Sequence, residues 1–220
     1  MVKAMTTLAT DLGLLYKARA TRVDIVAVPE LGCVAVDGTR DPEGGAFAAA
    51  IQALYTTSYG AHFLVKRRDG TAPRVMSLEA QWWVDDPAQQ GLVQAVAAGE
   101  ASMADTDRDG WHWRAMIIQP EPIDAAVVAE ALEQARTKKA LPALDQVRYL
   151  RWCEGLSAQL LHVGPYAAEA PTIARLHAGI AAAGYRPRGR HHEIYLGDPR
   201  RCAPERLRTI LRQPVEPVPA

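Results

Sequence analysis

Apolar and polar positions along the chain alternate between strand and helix periods. Residues 24–38 form a valine-rich apolar run broken by Pro29 and Gly32, which predicts a strand entry followed by a strand. Over residues 43–67, most apolar positions recur at spacings of three, four or seven, the period of an amphipathic helix. The next extended segment, 73–84, is ended by an Asp-Asp-Pro stop. The chain therefore begins with a predicted strand–helix–strand order.

The middle of the chain continues with strands and one helix. We predict a strand at 111–120 and a helix at 122–139, which is rich in alanine and glutamate and ends in two lysines. Two more strands, 147–155 and 157–166, are predicted to form a hairpin that turns at Gly155. Residues 86–110 show no clear period.

The same order then begins again. A helix is predicted at 168–185, a strand at 191–199, and a short closing helix or turn at 204–211. We interpret the chain as a single domain of 220 residues built from two βαββ units, at about 22–119 and about 145–215. The predicted fold class is α+β, with an antiparallel sheet around a central ligand cleft and helices packed outside.

An internal alignment links the two units. Matching their Asp-Pro stops places Trp83 opposite Tyr195, and Gln81 opposite Glu193. A carboxylate in one half then faces an amide in the other, which predicts a cleft that is asymmetric in charge. Glu79 is the one residue that could overturn this asymmetry.

Composition narrows the class of protein. Lys plus Arg equals Asp plus Glu at 25 each, which argues against a nucleic-acid binder. Cys33, Cys153 and Cys202 lack metal-binding spacing, and we expect them to be free thiols. No signal peptide and no stretch of ~20 apolar residues is present, which predicts a soluble, cytoplasmic protein without a membrane partner. Nucleophile-elbow, P-loop, zinc-protease and Rossmann motifs are also absent.

Several segments together resemble the GyrI-like small-molecule-binding family. They are SLEAQWWVDD, the W-x-W strand with its QP end, and GRHHEIYLGDPRRCAPERLRTILRQPV, and the likeness runs from about residue 11 to 215. The resemblance implies a duplicated βαββ fold with a ligand cleft between the halves. It is nearest to a stand-alone branch similar to cyclopropanoid hydrolases, which open the strained cyclopropane of DNA-alkylating natural products with water. Where the family motif reads Leu-Glu-Gly-Leu-Trp-Trp, this chain has Ala80 and Gln81.

The strand that contains Glu193 carries the candidate chemistry. Alternation places His191, Glu193 and Tyr195 on one face and apolar neighbours on the other. If that face lines the cleft, burial makes Glu193 a usable general acid or base beside the Tyr195 phenol. The alternative, which spacing alone favours, is a glutamate paired with Arg190 on a solvated sheet face. The family resemblance favours the cleft.

Aromatic residues supply the predicted ligand-binding wall. Five tryptophans against two phenylalanines suit a pocket for flat aromatic ligands, although tryptophans also fill cores. Trp82 and Trp83 are adjacent and must point to opposite faces, so only one can line the cleft fully. The candidate ligand-binding residues are Trp83, Trp82, Trp111, Trp113, Tyr55, Tyr166, Glu79 and Gln81.

The leading hypothesis is a detoxifying hydrolase that adds water across an activated cyclopropane and gives cellular protection. Glu193 would activate the water, and Tyr195 or Glu79 would orient it, without any cofactor. A metal is not expected, because His191 and His192 point to opposite faces and no third ligand is suitably spaced. The alternative is a non-catalytic protein that sequesters a drug, or a gyrase-inhibitor-like module whose partner is DNA gyrase.

Overall fold

A computed structural model describes residues 12–40, 44–90, 95, 100 and 107–219. Seven strands are found there, namely β1 (Asp24–Thr39), β2 (Leu78–Val84), β3 (Trp111–Ile118), β4 (Arg148–Val163), β5 (Tyr185–Pro187), β6 (His191–Tyr195) and β7 (Arg208–Pro217). The main helices are α1 (Leu12–Leu15), α2 (Gly45–Asp69), α3 (Ala125–Lys138) and α4 (Ala170–Ala182). Most of residues 86–110, which showed no clear period, lie outside the described part.

All strand pairings are antiparallel and close into a barrel. The strand order is β4-β1-β3-β2-β6-β7, and β7 pairs back onto β4, while the short β5 extends the edge of β7. The long strands β1 and β4 pair with each other over residues 24–35 and 148–159. The element order is β–α–β–β in the first half and again in the second, apart from the added β5. The predicted α+β fold class is confirmed.

Two local predictions were wrong. Residues 148–163 form one continuous strand instead of a hairpin, because Gly155 absorbs a positive φ of 75° while it stays paired with Val28. The closing helix or turn predicted at 204–211 is a single helical turn only at Pro204–Arg206, and β7 takes up the rest. Residues 209–215 are buried on both faces of β7, so apolar and polar positions do not alternate there, and periodicity alone does not separate such a strand from a helix.

The strand ends define how the two halves correspond. Arg40 and Gly164 both have a positive φ, 71° and 141°, directly after β1 and β4. The Arg40 amide donates to the Trp111 carbonyl at 2.7 Å, and the Gly164 amide donates to the Leu207 carbonyl at 3.0 Å. Arg40 therefore corresponds to Gly164, and each pairing register can be followed from this point.

Following the registers corrects the internal alignment by one residue. Ala80 pairs with Glu193 across β2 and β6, so the two share a face and correspond to each other. Gln81 pairs with His192 and lies on the opposite face, and Trp82 corresponds to Tyr195. A slip of one residue in a strand exchanges every side chain between faces, which is why the Asp-Pro stops gave the wrong partner.

The apolar core is divided unequally between the halves. Its larger part lies beneath α2 and α3, where Trp113 is 1% exposed and a Cβ on Gly38 would clash with the indole. The smaller part lies beneath α4 and consists of few fully buried side chains, among them Leu160, Leu176 and Ile180. In the second half, therefore, apolar side chains cover less of the sheet face beneath the helix.

Candidate functional site

A large cleft lies between α2 and α4, over the middle of the sheet. Its volume is about 2270 Å³, larger than the roughly 300–1,000 Å³ of most small-molecule sites. The sequence-predicted site residues that line it are Trp82, Trp83, Trp111, Tyr55, Tyr166, Glu193 and Tyr195. Glycines and arginines of the 187–201 segment form one rim.

Glu193 stands on the floor of this cleft with two polar neighbours from its own strand. The Tyr195 hydroxyl donates to Oε2 of Glu193 at 2.7 Å, and His191 Nε2 lies 3.5 Å from Oε1. The side chain of Glu193 is 14% exposed. Arg190 does not pair with it, since its guanidinium carbon lies 3.4 Å from the ring centroid of Trp83. Glu193 is therefore a cleft carboxylate and not half of a surface ion pair.

A second carboxylate, Glu169, was missed by sequence reasoning. It directly precedes α4, is 5% exposed, and its Oε1 has no hydrogen-bond partner in the described part of the chain. Burial and the charge of Glu193 raise the pKa of Glu169 to about 9. In the sequence, an acidic residue before Ala-Pro is typical of the first turn of a helix, so nothing distinguished it from an ordinary capping residue.

Two tyrosines complete the polar end of the cleft. The rings of Tyr166 and Tyr195 meet edge to face with centroids 5.5 Å apart. Burial, with the neighbouring charges of Glu169 and Glu193, raises the pKa of Tyr166 to about 12. Burial and the charge of Glu193 also raise the pKa of Tyr195 well above its ordinary value. Both phenols therefore keep their protons at neutral pH, and the phenol of Tyr195 donates to Glu193.

Aromatic rings form a further wall of the cleft. The ring of Trp82 lies 5.3 Å from Phe47 and 6.4 Å from Trp111, measured between centroids. Tyr55 is fixed from α2, because its hydroxyl accepts a hydrogen bond from the Leu78 amide at 3.2 Å. The cleft thus combines a rigid aromatic wall with two acidic side chains, an arrangement that suits a flat ligand with one polar, reactive end.

Two of the predicted tryptophans are placed differently from Trp82 and Trp111. Trp113 was predicted to line it, but this is wrong, because Phe47 packs across it at 5.0 Å and covers it. Trp83 borders the cleft, yet its ring stacks at 5.5 Å on His112 and beneath Arg190, on the face opposite Trp82. Of the adjacent pair, Trp82 is therefore the one that faces the cleft.

Glu79 and Gln81 were also predicted in the cleft, and this too is wrong. Both lie on the opposite face of β2, where they are 2% and 4% exposed. Glu79 accepts a hydrogen bond from the Tyr16 hydroxyl, and its Oε2 lies 3.0 Å from Nε2 of His192. The odd-numbered residues of β2 point away from the cleft because Ala80 shares a face with Glu193.

The face opposite the cleft holds a buried ionic network centred on His192. Its Nδ1 lies 2.9 Å from Glu154, whose other oxygen lies 3.3 Å from Arg212. Burial opposes a charged imidazole, but Glu154 and Glu79 outweigh it and raise the pKa of His192 to about 9. Burial likewise opposes ionisation of Glu154, yet His192 and Arg212 lower its pKa. Two acids and two bases balance here, which indicates a structural role.

Other expected features can be stated for the described residues. The three cysteines are free, as predicted, and burial raises the pKa of Cys33 to about 12. In that part of the chain, no group of three or more His, Cys, Asp or Glu side chains is placed to hold a metal ion. None of the helices described is long and apolar enough to cross a membrane.

Comparison with known proteins gives relatives over nearly the whole chain. A family described as a GyrI-like small molecule binding domain matches residues 116–216. An uncharacterized conserved protein from Listeria innocua is 31% identical, with a TM-score of 0.79 over 93% of this chain and 96% of its own. A hydrolase from the same organism is 30% identical, with a TM-score of 0.75 over 94% and 97%. A further hydrolase from Listeria innocua is 31% identical, with a TM-score of 0.75 over 93% and 96%. No curated protein matches the chain.

Proposed function

The chain belongs to the GyrI-like small-molecule-binding family, and we propose that it hydrolyses a flat, electrophilic small molecule in its cleft. The proposed substrate class is an activated cyclopropane, as found in DNA-alkylating natural products, and the consequence is cellular protection. The observation that carries this proposal is the pair of carboxyl groups, Glu193 held by Tyr195 and Glu169 with a pKa of about 9. Relatives that are called hydrolases support it.

The carboxyl pair divides the roles of base and acid. Two carboxylates in one buried site cannot both ionise easily, so one keeps its proton near neutral pH. We assign that proton to Glu169, which is the more deeply buried of the two, and we assign the role of base to Glu193. Tyr195 orients Glu193 by donating to Oε2, and in the proposed reaction Oε1, which lies 3.5 Å from Nε2 of His191, accepts from the water molecule.

The reaction adds one water and needs no cofactor. Glu193 takes a proton from water as its oxygen bonds to a ring carbon, and the strained carbon–carbon bond breaks. The electron pair of that bond moves to the conjugated carbonyl, whose oxygen takes the proton of Glu169. Return of one proton from Glu193 to Glu169 through solvent restores the pair. Ring strain drives the step, so the protein mainly positions water, base and acid.

The aromatic wall fits the proposed substrate. Trp82 and Trp111 offer flat surfaces beside the carboxyl pair, and Tyr166 closes the polar end. A planar conjugated ring system gains both area burial and ring–ring contact there. In the proposed pose, the ligand stacks with its reactive carbon toward β6. A water molecule bound at Glu193 can then attack that carbon.

Hydrolysis can be tested with a cyclopropanoid alkylator and mass detection of a ring-opened, hydrated product. We expect turnover by the wild type, and a loss of about 100-fold or more in Glu193→Gln and in Glu169→Gln, the usual effect of removing a general acid or base. Glu205→Gln is the matched control, because Glu205 is exposed and lies outside the cleft.

The outcomes separate catalysis from binding alone. Turnover that survives Glu193→Gln rules out the assignment of the base. Binding of the alkylator without any product supports the alternative of a sequestering protein, in which Glu193 is only a counter-charge. A DNA gyrase supercoiling assay addresses the gyrase-inhibitor alternative, and we expect no inhibition by the wild type.

A further inference from the structure

The segment between β4 and α4 delivers two cleft residues at once. Gly164 turns the chain with a φ of 141°, a single helical turn Tyr166–Ala168 follows, and Glu169 precedes α4. Tyr166 and Glu169 therefore depend on a short connection that packs over the sheet. The pKa of Glu169 depends on its position relative to Glu193. The side chains that attach this connection to the sheet therefore set that position.

One buried side chain beneath the segment reaches both of its ends. His162 is 5% exposed, and its Nδ1 lies 3.0 Å from Thr172 Oγ1 while its Nε2 lies 3.2 Å from the Pro165 carbonyl. A carbonyl can only accept, so Nε2 carries the hydrogen, and in the neutral ring Nδ1 accepts from the Thr172 hydroxyl. Pro165 and Thr172 flank Tyr166 and Glu169 in the chain, so the imidazole spans the segment.

The backbone transmits this tether to Glu169. The Thr172 amide donates to the Glu169 carbonyl at 2.8 Å, and the Glu169 amide donates to the Tyr166 carbonyl at 3.1 Å. The His162–Thr172 bond thus fixes one end of a chain of short bonds that runs through Glu169. His162 itself lies outside the lining of the cleft, so it acts through these residues and not on a ligand.

Sheet register places His162 in the same row as the site. His162 pairs with Thr209 across β4 and β7, and Thr209 pairs with Tyr195 across β7 and β6. Partners directly opposite share a face, so the imidazole lies on the cleft side of the sheet. The row leads from His162 through Thr209 to Tyr195, the residue that orients Glu193.

We infer that His162 is a positioning residue, which clamps the Tyr166–Glu169 segment to β4 and thereby holds Glu169 against Glu193. The geometry of this clamp is independent of the reaction, whereas its importance for turnover rests on the proposed hydrolysis. Releasing the clamp frees Glu169 to swing toward solvent and away from Glu193. The raised pKa of Glu169 then falls, because both of its causes, burial and the Glu193 charge, are weakened.

A ligand-free test follows the titration of Glu169 by carbon NMR of labelled glutamate side chains, with Glu169→Gln to assign the signal. The titratable groups that face Glu169 are Glu193, Tyr166 and Tyr195, and within the described chain it has no basic ion-pair partner. In Thr172→Val, which keeps the shape and removes only the hydroxyl, we expect the pKa of Glu169 to fall by at least about one unit.

The histidine variants sharpen the test. His162→Leu removes both bonds and should lower the pKa of Glu169 further, whereas His162→Gln retains a donor for the Pro165 carbonyl and should restore part of the shift. The matched control is His112→Leu, a histidine on β3 whose ring stacks on Trp83 away from the segment. It should leave Glu169 unchanged. If His162→Leu fails to fold, Thr172→Val alone decides.

Turnover measurements give a second, separate test of the clamp. With a cyclopropanoid alkylator, a displaced Glu169 should lower kcat more than it changes KM, and it should shift the alkaline limb of the pH profile to lower pH. A Glu169 titration that is the same in Thr172→Val as in the wild type overturns the clamp, whatever the protein hydrolyses. An altered titration with no turnover in any form supports the clamp and contradicts the proposed hydrolysis instead.

Discussion

The two halves of the barrel use corresponding positions in opposite ways. In the first half, Gly38 pairs with Trp113, and Trp113 pairs with Trp82. The corresponding row of the second half is His162, Thr209 and Tyr195. The first row is a large indole that fills the space left by a glycine, whereas the second is a hydrogen-bonding imidazole, a small hydroxyl and a phenol.

This difference shows how one backbone arrangement supports two tasks. Trp113 beneath Phe47 makes the first half a thick, closed core that holds α2 in place. Thr209 at the same position is small, so Glu169 from the segment above can approach the sheet and meet Glu193. A closed core in one half provides the rigid wall, and an open, polar floor in the other half provides the chemistry.

The largest effect should come from removing the buried indole of the first row. Trp113→Ala removes a fully buried indole and leaves a cavity beneath Phe47, and we expect a loss of about 3–5 kcal/mol in the free energy of unfolding, measured with urea. Trp83→Ala is the control, because its ring is partly exposed on the other face. Equal losses in the two variants would show that the first half is not the closed core described here.

Removing the Glu169 carboxyl, which lies above the row of the second half, should stabilise the protein, and more so at high pH. The pKa of Glu169 is raised from 4.5 to about 9, so the stability that its proton contributes is full below pH 4.5 and is lost as the pH rises toward 9. Glutamine stays neutral throughout. We expect Glu169→Gln to gain about 1–2 kcal/mol near pH 8 and almost nothing near pH 4, from thermal unfolding at both values.

A gain that shrinks as the pH rises would contradict the raised pKa. Glu205→Gln, on the exposed surface, serves as the control and should change stability little at either pH.

The smallest effect is expected at Thr209, the counterpart of Trp113. Its hydroxyl is buried and faces Glu169, whose pKa it lowers, so Thr209→Val should change the free energy of unfolding by about 1 kcal/mol or less. Urea unfolding measures it beside Trp113→Ala. A loss as large as that of the tryptophan variant would mean that Thr209 is packed as tightly as its counterpart, and the contrast between the rows would disappear.

Sequence periodicity was sufficient for the architecture. The helices and most strands follow from apolar spacing, and strand alternation placed His191, Glu193 and Tyr195 on one face, where the structure also has them. The errors arise where one local signal has two meanings. Gly155 signals a turn in sequence but absorbs a positive φ within a strand, and the Asp-Pro stops marked loop ends and not sheet register.

Of the two carboxyl groups of the site, only one could be predicted from the sequence. Glu193 belongs to a strand whose alternation identifies its face, so it could be found. Glu169 enters the cleft from a different element, and its distance from Glu193 depends on the path of the 164–169 connection, which no period encodes. Glu79 and Gln81 were misplaced for a related reason, since faces within β2 depend on its register with β6, and register is a property of the folded sheet.

The pairing of Ala80 with Glu193 has a consequence for the symmetry of the fold. These two residues correspond to each other and also stand directly opposite, so the pseudo-two-fold axis passes between them. In an assembly of two identical half-chains, whatever side chain occupies this position occurs twice, and a glutamate would face its own copy. Only after the halves are joined in one chain can a mutation change one copy and spare the other. The single axial carboxylate is thus a feature that a fused gene can encode and a symmetric dimer cannot.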